Sequence, residues 1–211
     1  MPSAAATTET ARGTTEAPPR VEEKPEWWAS PATLGLMGFG TTTILAGLND
    51  GGWIQFGALL SMAMFFGGIA QLIAGIIAMR KGNMFAGTAF IGYGAFWLAF
   101  NWLVTEYVIR APVLTGAYDV SAFLFVWFLF TLGFLINAPK HGTVLTLIFA
   151  SLTLAFLLLI VQWWEAGAGT AFSAGTLKIV GGEIVIVGLL AVYLAWADLT
   201  NWNWGRKVLP T

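Results

Sequence analysis

The chain has 211 residues, of which 57% are hydrophobic and 10% are charged, with a formal net charge of -1. Because a soluble domain carries roughly 25% charged residues, this composition excludes an ordinary water-soluble protein. The absence of cysteine and the single histidine exclude a disulfide framework, a cysteine nucleophile and a multi-histidine metal site. No basic face is available for a nucleic acid, so we expect no nucleic-acid partner. No metal motif or phosphate loop is visible, so we expect no cofactor.

The first 26 residues, MPSAAATTETARGTTEAPPRVEEKPE, have almost no large apolar side chains. Such a segment cannot bury enough surface to offset the entropy of ordering, which predicts a disordered cytoplasmic tail. It also lacks the apolar region of a signal peptide. We therefore divide the chain into this tail (1–26), a six-helix transmembrane domain (27–204) and a short cytoplasmic C-terminal tail (205–211).

Six long apolar segments follow the tail, separated by turn-like sequences such as Asn49-Asp50-Gly51-Gly52. Uncharged apolar runs of about 18 residues or more are typical of membrane spans. The predicted helices are 32–48, 53–79, 84–108, 118–138, 142–164 and 177–199. The predicted fold class is an all-α membrane protein with six transmembrane helices.

Lysine and arginine fall unequally on the two sides of this arrangement. Of the 10 in the chain, eight lie on the side of the two termini: Arg12, Arg20, Lys24, Arg80, Lys81, Lys140, Arg206 and Lys207. Only Arg110 and Lys178 lie on the other side. The positive-inside rule therefore places both termini in the cytoplasm, which requires an even number of spans.

The first span, SPATLGLMGFGTTTILAGLND (30–50), is rich in glycine and threonine. In a soluble helix each glycine costs roughly 1 kcal/mol relative to alanine, but in lipid small residues let helices pack closely. The glycines that fit this explanation are Gly35, Gly38, Gly67, Gly68, Gly75, Gly181, Gly182 and Gly188. A second interpretation concerns Gly38-Phe39-Gly40, because bare backbone beside one bulky ring also suits the gate of a permeation path.

Two other segments offer the same choice between packing and a path. Gly92-Tyr93-Gly94 again places an aromatic ring between glycines, and Gln71 follows Gly67-Gly68 inside the second span. A glutamine within the membrane must find hydrogen-bond partners or cost a few kcal/mol. Either an interhelical hydrogen bond or a place on the path would satisfy it. Asn101 and Asn137 are predicted to form interhelical hydrogen bonds.

Four blocks of sequence point further: LGLMGFGTTTIL, FFGGIAQLIAG, RKGNMFAGTAFIGYGAFWL and YLAWADLTNWNWGRKVLP. In this order and spacing they resemble the acetate uptake transporter family, the succinate–acetate permeases, over about residues 30–210. The usual opening signature of that family is Asn-Pro-Ala-Pro-Leu-Gly-Leu. Here Ser30 and Thr33 replace the asparagine and the second proline. Serine can still cap a helix, and Pro31 suits the first turn.

The resemblance implies a hexameric ring of six-span subunits, each with its own pore for acetate and similar small carboxylates, sometimes succinate. Flow would be proton-coupled or channel-like. The resemblance also implies a narrow apolar constriction formed by Phe39, Tyr93 and Leu152. It places Thr42 and Gln71 on the substrate path.

Gly38 and Gly40, which flank Phe39, are assigned to the same path because their backbone is bare. Glu183, about two turns into the last span, is predicted to serve either proton coupling or a subunit contact near Lys178, since ionisable residues within membranes are usually functional.

The residues are also compatible with two other functions. One is a channel for small neutral solutes such as urea or short amides, and the other is a membrane scaffold or sensor without flux. The sequence has no Ser-His-Asp set, metal motif or phosphate loop, so we expect no enzyme. The expected surroundings are the lipid bilayer of the cell membrane.

Overall fold

The computed structural model describes residues 29–110 and 116–211, and the predicted tail of 1–26 lies outside them. The described chain is helical and contains no strand. The helices are α1 (Ala32–Asp50), α2 (Phe56–Arg80), α3 (Met84–Trp102), α4 (Ala117–Asn137), α5 (Thr143–Gly167) and α6 (Ala174–Asn203). A π-helical turn at Phe65–Ala70 interrupts α2, and a π-helical segment, Leu103–Arg110, continues α3.

Each of the six predicted helices coincides with an observed helix, and the boundaries differ for local reasons. Helix α6 begins three residues before the predicted start, because the Ser173 side chain accepts a hydrogen bond from the Thr176 N–H at 3.2 Å. Helix α2 begins later than predicted, at Phe56. There the Asn49 amide donates to the carbonyl of Ile54 at 3.1 Å and holds the connection in a turn.

Five of the described helices, α2 to α6, are long and apolar enough to cross a membrane. Helix α1 is not among them, since its glycines and threonines dilute its apolar character. The all-helical membrane architecture is therefore confirmed, whereas the sixth span stays a prediction that depends on α1.

Helices α1 and α6 pack against each other along an antiparallel seam of glycines. A Cβ atom added to Gly40 would lie 2.7 Å from the carbonyl oxygen of Gly188, and one added to Gly47 would lie 2.5 Å from that of Gly181. Both pairs are spaced by two helical turns, so they repeat on one face of each helix. The glycines of the first span thus serve close backbone contact, as expected in lipid.

The packing explanation holds for all but one of the glycines to which it was applied. An added Cβ would lie under 3.0 Å from a neighbour at Gly35, Gly38, Gly67, Gly68, Gly75, Gly181 and Gly188. The prediction is wrong for Gly182 within one subunit, where an added Cβ would meet no described residue within 4 Å. Gly182 points about 100° around α6 from Gly181, the glycine that contacts α1.

The two asparagines predicted to bond between helices behave differently. The Asn101 amide of α3 donates to the carbonyl of Leu60 in α2 at 2.6 Å, which confirms the prediction. The Asn137 amide instead donates to the carbonyl of Gly133, one turn earlier in α4, at 2.9 Å. For Asn137 the prediction is wrong, because a carbonyl of its own helix lies within reach.

The last residues fold back against α6. The Asn201 side chain accepts hydrogen bonds from the N–H groups of Val208 and Leu209 at 2.6 and 2.8 Å. The hydroxyl of Tyr193 donates to the carbonyl of Pro210 at 2.9 Å. Through these contacts the segment predicted as a short tail reaches the surface of the bundle.

Candidate functional site

Three cavities follow one another through the helical bundle. We name each by one lining residue: the His141 cavity of about 240 Å³, the Trp97 cavity of about 60 Å³ and the Asp50 cavity of about 230 Å³. Neighbouring cavities share lining residues, so only side chains separate them. The His141 cavity lies at the α2–α3 and α4–α5 connections, and the Asp50 cavity lies at the opposite end of the bundle.

Three side chains form the boundary between the His141 and Trp97 cavities. Phe39 from α1, Tyr93 from α3 and Leu152 from α5 line both cavities, with exposed fractions of 6%, 3% and 6%. The rings of Phe39 and Tyr93 lie 5.2 Å apart between centroids. The structure thus brings together the three residues that the family resemblance names as a constriction.

Tyr93 is held in place by its hydroxyl. This oxygen lies 2.9 Å from the Oγ1 atom of Thr131 in α4, and Thr131 in turn donates to the carbonyl of Trp127 at 2.8 Å. The ring also packs against Phe39 and Phe130, with centroids 5.2 and 5.3 Å away, so it has few alternative positions. Tyr93 is therefore a rigid wall of the boundary, and Phe39 lies against it without a polar anchor.

A second apolar boundary separates the Trp97 cavity from the Asp50 cavity. It consists of Ala46, Leu159 and Ile184, which line both. Sequence reasoning did not identify these residues, because ordinary aliphatic side chains in apolar spans carry no distinguishing signal.

Gln71 provides a buried amide beside the first boundary. Its side chain is fully buried and lines the His141 cavity, and neither amide atom has a hydrogen-bond partner among the described residues. It follows directly on the π-helical turn Phe65–Ala70, a kind of irregularity that is frequent at functional sites. Of the two roles predicted for Gln71, the structure shows no interhelical hydrogen bond.

Two more buried polar atoms without a partner in the described chain lie near the same turn of α2: Thr42 Oγ1 and Trp97 Nε1. A Cβ atom added to Gly67 would lie 2.7 Å from that Thr42 atom and 2.9 Å from Cδ1 of Trp97. Trp97 lines the cavity named after it, whereas Thr42 lines none of the three cavities. Trp97 was not predicted, although a tryptophan in the middle of a span is a usable signal.

The other two threonines of the triplet bond to their own helix. Thr41 and Thr43 donate to the carbonyls of Met37 and Phe39, both at 2.7 Å. Of the three, only the Thr42 hydroxyl has no hydrogen-bond partner among the described residues.

Gly38 and Gly40 lie in helix contacts and are absent from the linings of the three cavities. An added Cβ on Gly38 would lie 2.6 Å from the carbonyl oxygen of Phe66 in α2, while Gly40 faces Gly188 in α6. Successive residues point roughly 100° apart around a helix. When Phe39 faces the cavities, both of its neighbours therefore face other helices.

Glu183 lies away from the cavities. Its Oε1 atom accepts a hydrogen bond from the Ser151 hydroxyl of α5 at 2.6 Å, and it lines none of the three cavities. Within one subunit it joins α5 to α6.

The cavity linings carry little charge. The His141 cavity is lined by Asp198 and by His141, whose ring stacks on Phe85 with centroids 4.0 Å apart. The Asp50 cavity contains Asp50, whose Oδ1 atom accepts a hydrogen bond from the Gln162 amide at 2.9 Å. No lysine or arginine is among the described lining residues of the three cavities.

The chain is similar to known proteins in both sequence and structure. The model of the GPR1/FUN34/yaaH family matches residues 13–205. The succinate-acetate/proton symporter SatP of Escherichia coli K12 is 38% identical over 183 residues, 86% of this chain and 94% of that protein. Acetate permease A of Emericella nidulans is 33% identical over 181 residues, 80% of this chain and 59% of that protein. The solved structure of the bacterial acetate channel SatP superposes with a TM-score of 0.78 at 38% identity, covering 87% of this chain and 98% of that one.

Proposed function

This chain belongs to the GPR1/FUN34/yaaH family of transporters and channels, and we propose that it moves acetate and related small carboxylates, succinate among them, through a path within each subunit. The observation that carries this proposal is the row of three cavities, of which two meet at Phe39, Tyr93 and Leu152. Relatives named as a symporter, a permease and a channel support the same substrate class. Movement is either proton-coupled or channel-like.

Two unpaired donors suit a passing carboxylate. The Gln71 amide faces the His141 cavity, and Trp97 lines the next cavity beyond the boundary. A buried polar group without a partner is unfavourable, so a substrate oxygen that accepts from each donor in turn offsets part of its own dehydration. Because the described lining has no fixed positive charge, binding stays weak and release stays fast, as conduction requires.

The boundary residues act as an apolar constriction in this proposal. Phe39, Tyr93 and Leu152 present no polar atom that replaces water around a carboxylate, except the Tyr93 hydroxyl, which Thr131 occupies. A small acid can pass such a point after losing most of its water, and the flux is expected to fall as the acid becomes larger. Gly38 and Gly40 contribute indirectly, because they let α1 lie close enough to α2 and α6 to fix the position of Phe39.

We propose that the protein resides in the cell membrane with both termini in the cytoplasm and works as a homohexameric ring. The unequal distribution of lysine and arginine supports this orientation. Large apolar side chains such as Phe65, Ile76 and Ile179 are exposed on single subunits, and lipid or neighbouring subunits would cover them.

Native mass spectrometry of the detergent-purified protein is expected to show a closed oligomer, with six copies as the main species. Exposed apolar helix faces that pack against one another in lipid are the physical reason. A spectrum containing only the monomer, from a sample that still transports acetate, contradicts the ring.

Uptake of radiolabelled acetate into proteoliposomes tests the proposed function itself. We expect uptake well above that of protein-free liposomes, with inhibition by unlabelled succinate and none by urea. Inhibition by urea together with urea flux would instead support the channel for neutral solutes, which the uncharged lining also suits. No flux of either solute would leave the scaffold or sensor as the function.

Replacing Gln71 with leucine is expected to raise the melting temperature and yet lower acetate flux roughly tenfold, the size of effect that follows from losing one hydrogen bond of about 1.5 kcal/mol to a charged group. The stability gain is expected because an unsatisfied buried amide disappears. Asn101→Leu is the matched control, since its amide also lies within a span but donates to the Leu60 carbonyl and lines none of the three cavities. A drop in stability with unchanged flux would show that Gln71 serves only packing.

A further inference from the structure

Asp50 is a charged residue that lines the Asp50 cavity and has no role in the path as described so far. It is the only Asp, Glu, Lys or Arg between Leu34 and Met79, and it ends α1 at the rim of the Asp50 cavity. Its Oδ1 atom accepts from the Gln162 amide at 2.9 Å. Its Oδ2 atom is buried and has no partner among the described residues.

No positive charge faces this carboxylate from the described helices around it. On α5, the lining includes the Gln162 amide and the indole of Trp163, and on α1 Asn49 already donates to the Ile54 carbonyl. The lining residues from the remaining helices are all apolar.

The ionisable groups at this end of the bundle are engaged or exposed elsewhere. Glu106 pairs with Arg110 at 2.6 Å, the Glu165 side chain accepts a hydrogen bond from the Thr170 hydroxyl, and Lys178 is exposed. The Asp119 carboxylate accepts from the Gly116 N–H at 2.8 Å, and Glu183 accepts from the Ser151 hydroxyl. None of these groups lines the cavity. A partly buried carboxylate with one hydrogen bond and no cation is costly in its charged form.

Such a carboxylate is a barrier to an anion, because like charges in a cavity of low dielectric constant repel. One proton removes the barrier. Two acceptors in this cavity, Asp50 Oδ2 and Gln162 Oε1, are buried without a donor in the described chain. A proton on Oδ2 would turn that atom into a donor for a second oxygen, either that of Gln162 or that of a substrate.

We propose that Asp50, oriented by Gln162, is a proton-binding residue that lets a small carboxylate enter the Asp50 cavity only together with one proton. This inference rests on the proposed carboxylate transport. A hydronium ion from the solution protonates Oδ2 and leaves as water, and the Oδ2–H group then donates a hydrogen bond to one substrate oxygen. The proton moves onto that oxygen as the acid passes the apolar boundary at Ala46, Leu159 and Ile184. Asp50 is left as a carboxylate, which a second hydronium ion protonates again.

The test is acetate uptake into proteoliposomes in which the proton gradient and the membrane potential are set independently. Wild-type uptake is expected to follow the proton gradient and to ignore the potential, since acid and proton move one to one. Asp50→Asn keeps the size of the side chain and the acceptor for Gln162. We expect the acetate accumulation driven by the proton gradient to fall at least about tenfold in this variant, and its uptake to respond to the membrane potential instead.

Two further variants bracket the result. Asp50→Glu is expected to retain coupling, because it restores a carboxyl group. Glu165→Gln is the matched control, since it neutralises a carboxylate at the same end of α5 without touching the cavity, and it should behave as wild type. Coupling that persists in Asp50→Asn overturns the assignment.

Gln162→Met provides a test that does not require changing Asp50. Loss of the amide donor disfavours the charged carboxylate, so the pH of half-maximal flux is expected to rise. If Asp50→Asn does not fold, an unchanged pH profile in Gln162→Met overturns the proposal. A wild-type protein that moves no acetate would refute the proposed function, whereas wild-type flux with unaltered coupling in the Asp50 and Gln162 variants refutes only this inference.

Discussion

Phe39→Ala is expected to raise acetate flux or to raise the flux of larger acids such as butyrate relative to acetate, with only a small loss of stability. Phe39 lines both the His141 and the Trp97 cavity, so its removal joins two existing spaces of about 240 and 60 Å³. In a dry packed core the same truncation costs roughly 3–5 kcal/mol. At a boundary between cavities, water can fill the space left behind, and the cost should be much smaller.

Liposome flux of acetate, butyrate and succinate, measured beside thermal stability, checks this prediction. Tyr93→Ala should act in the same direction, and the double variant should be non-additive because the two rings lie 5.2 Å apart. Phe128→Ala is the control, since this half-buried ring lies outside the three cavities. A sharp loss of stability with unchanged relative permeability would make Phe39 ordinary packing and move the constriction elsewhere.

Gly47→Ala is expected to destabilise the protein more than any other single methyl group added to α1. The new Cβ would lie 2.5 Å from the carbonyl oxygen of Gly181 and 2.7 Å from the backbone nitrogen of Val185. Backbone atoms cannot rotate away as a side chain can, so α1 and α6 must separate. Overpacking of this kind typically costs 1–3 kcal/mol and occasionally more.

The melting temperature in detergent and the recovered fraction of assembled protein measure this effect. Gly182→Ala is the matched control, because it adds the same methyl group one residue beyond Gly181 in open space. It should be neutral or slightly stabilising, since alanine favours helix by up to about 1 kcal/mol over glycine. Equal behaviour of the two variants would mean that the α1–α6 seam does not limit stability.

The sequence by itself determined the class of protein and the places of the helices. A chain with 10% charged residues and six long apolar segments has few alternatives to a membrane bundle, and each predicted helix lies within a few residues of an observed one. Protein class and helix position can be predicted because they depend on local features of the sequence, namely the length of each apolar run and the turn residues between runs. The resemblance also named Phe39, Tyr93 and Leu152, which the structure then brings to one boundary.

Only the tertiary structure decided which way each side chain faces. Residues one position apart point in different directions, so Phe39 reaches the cavities while Gly38 and Gly40 meet other helices. Asp50 and Gln162 are 112 residues apart in sequence, and only the folded bundle brings the end of α1 near enough to α5 for their hydrogen bond. Because these spans are apolar on nearly all sides, their hydrophobic pattern does not predict which face of each helix points into the bundle. Contacts such as the glycine seam set it instead, because close approach is possible only where two bare backbones coincide.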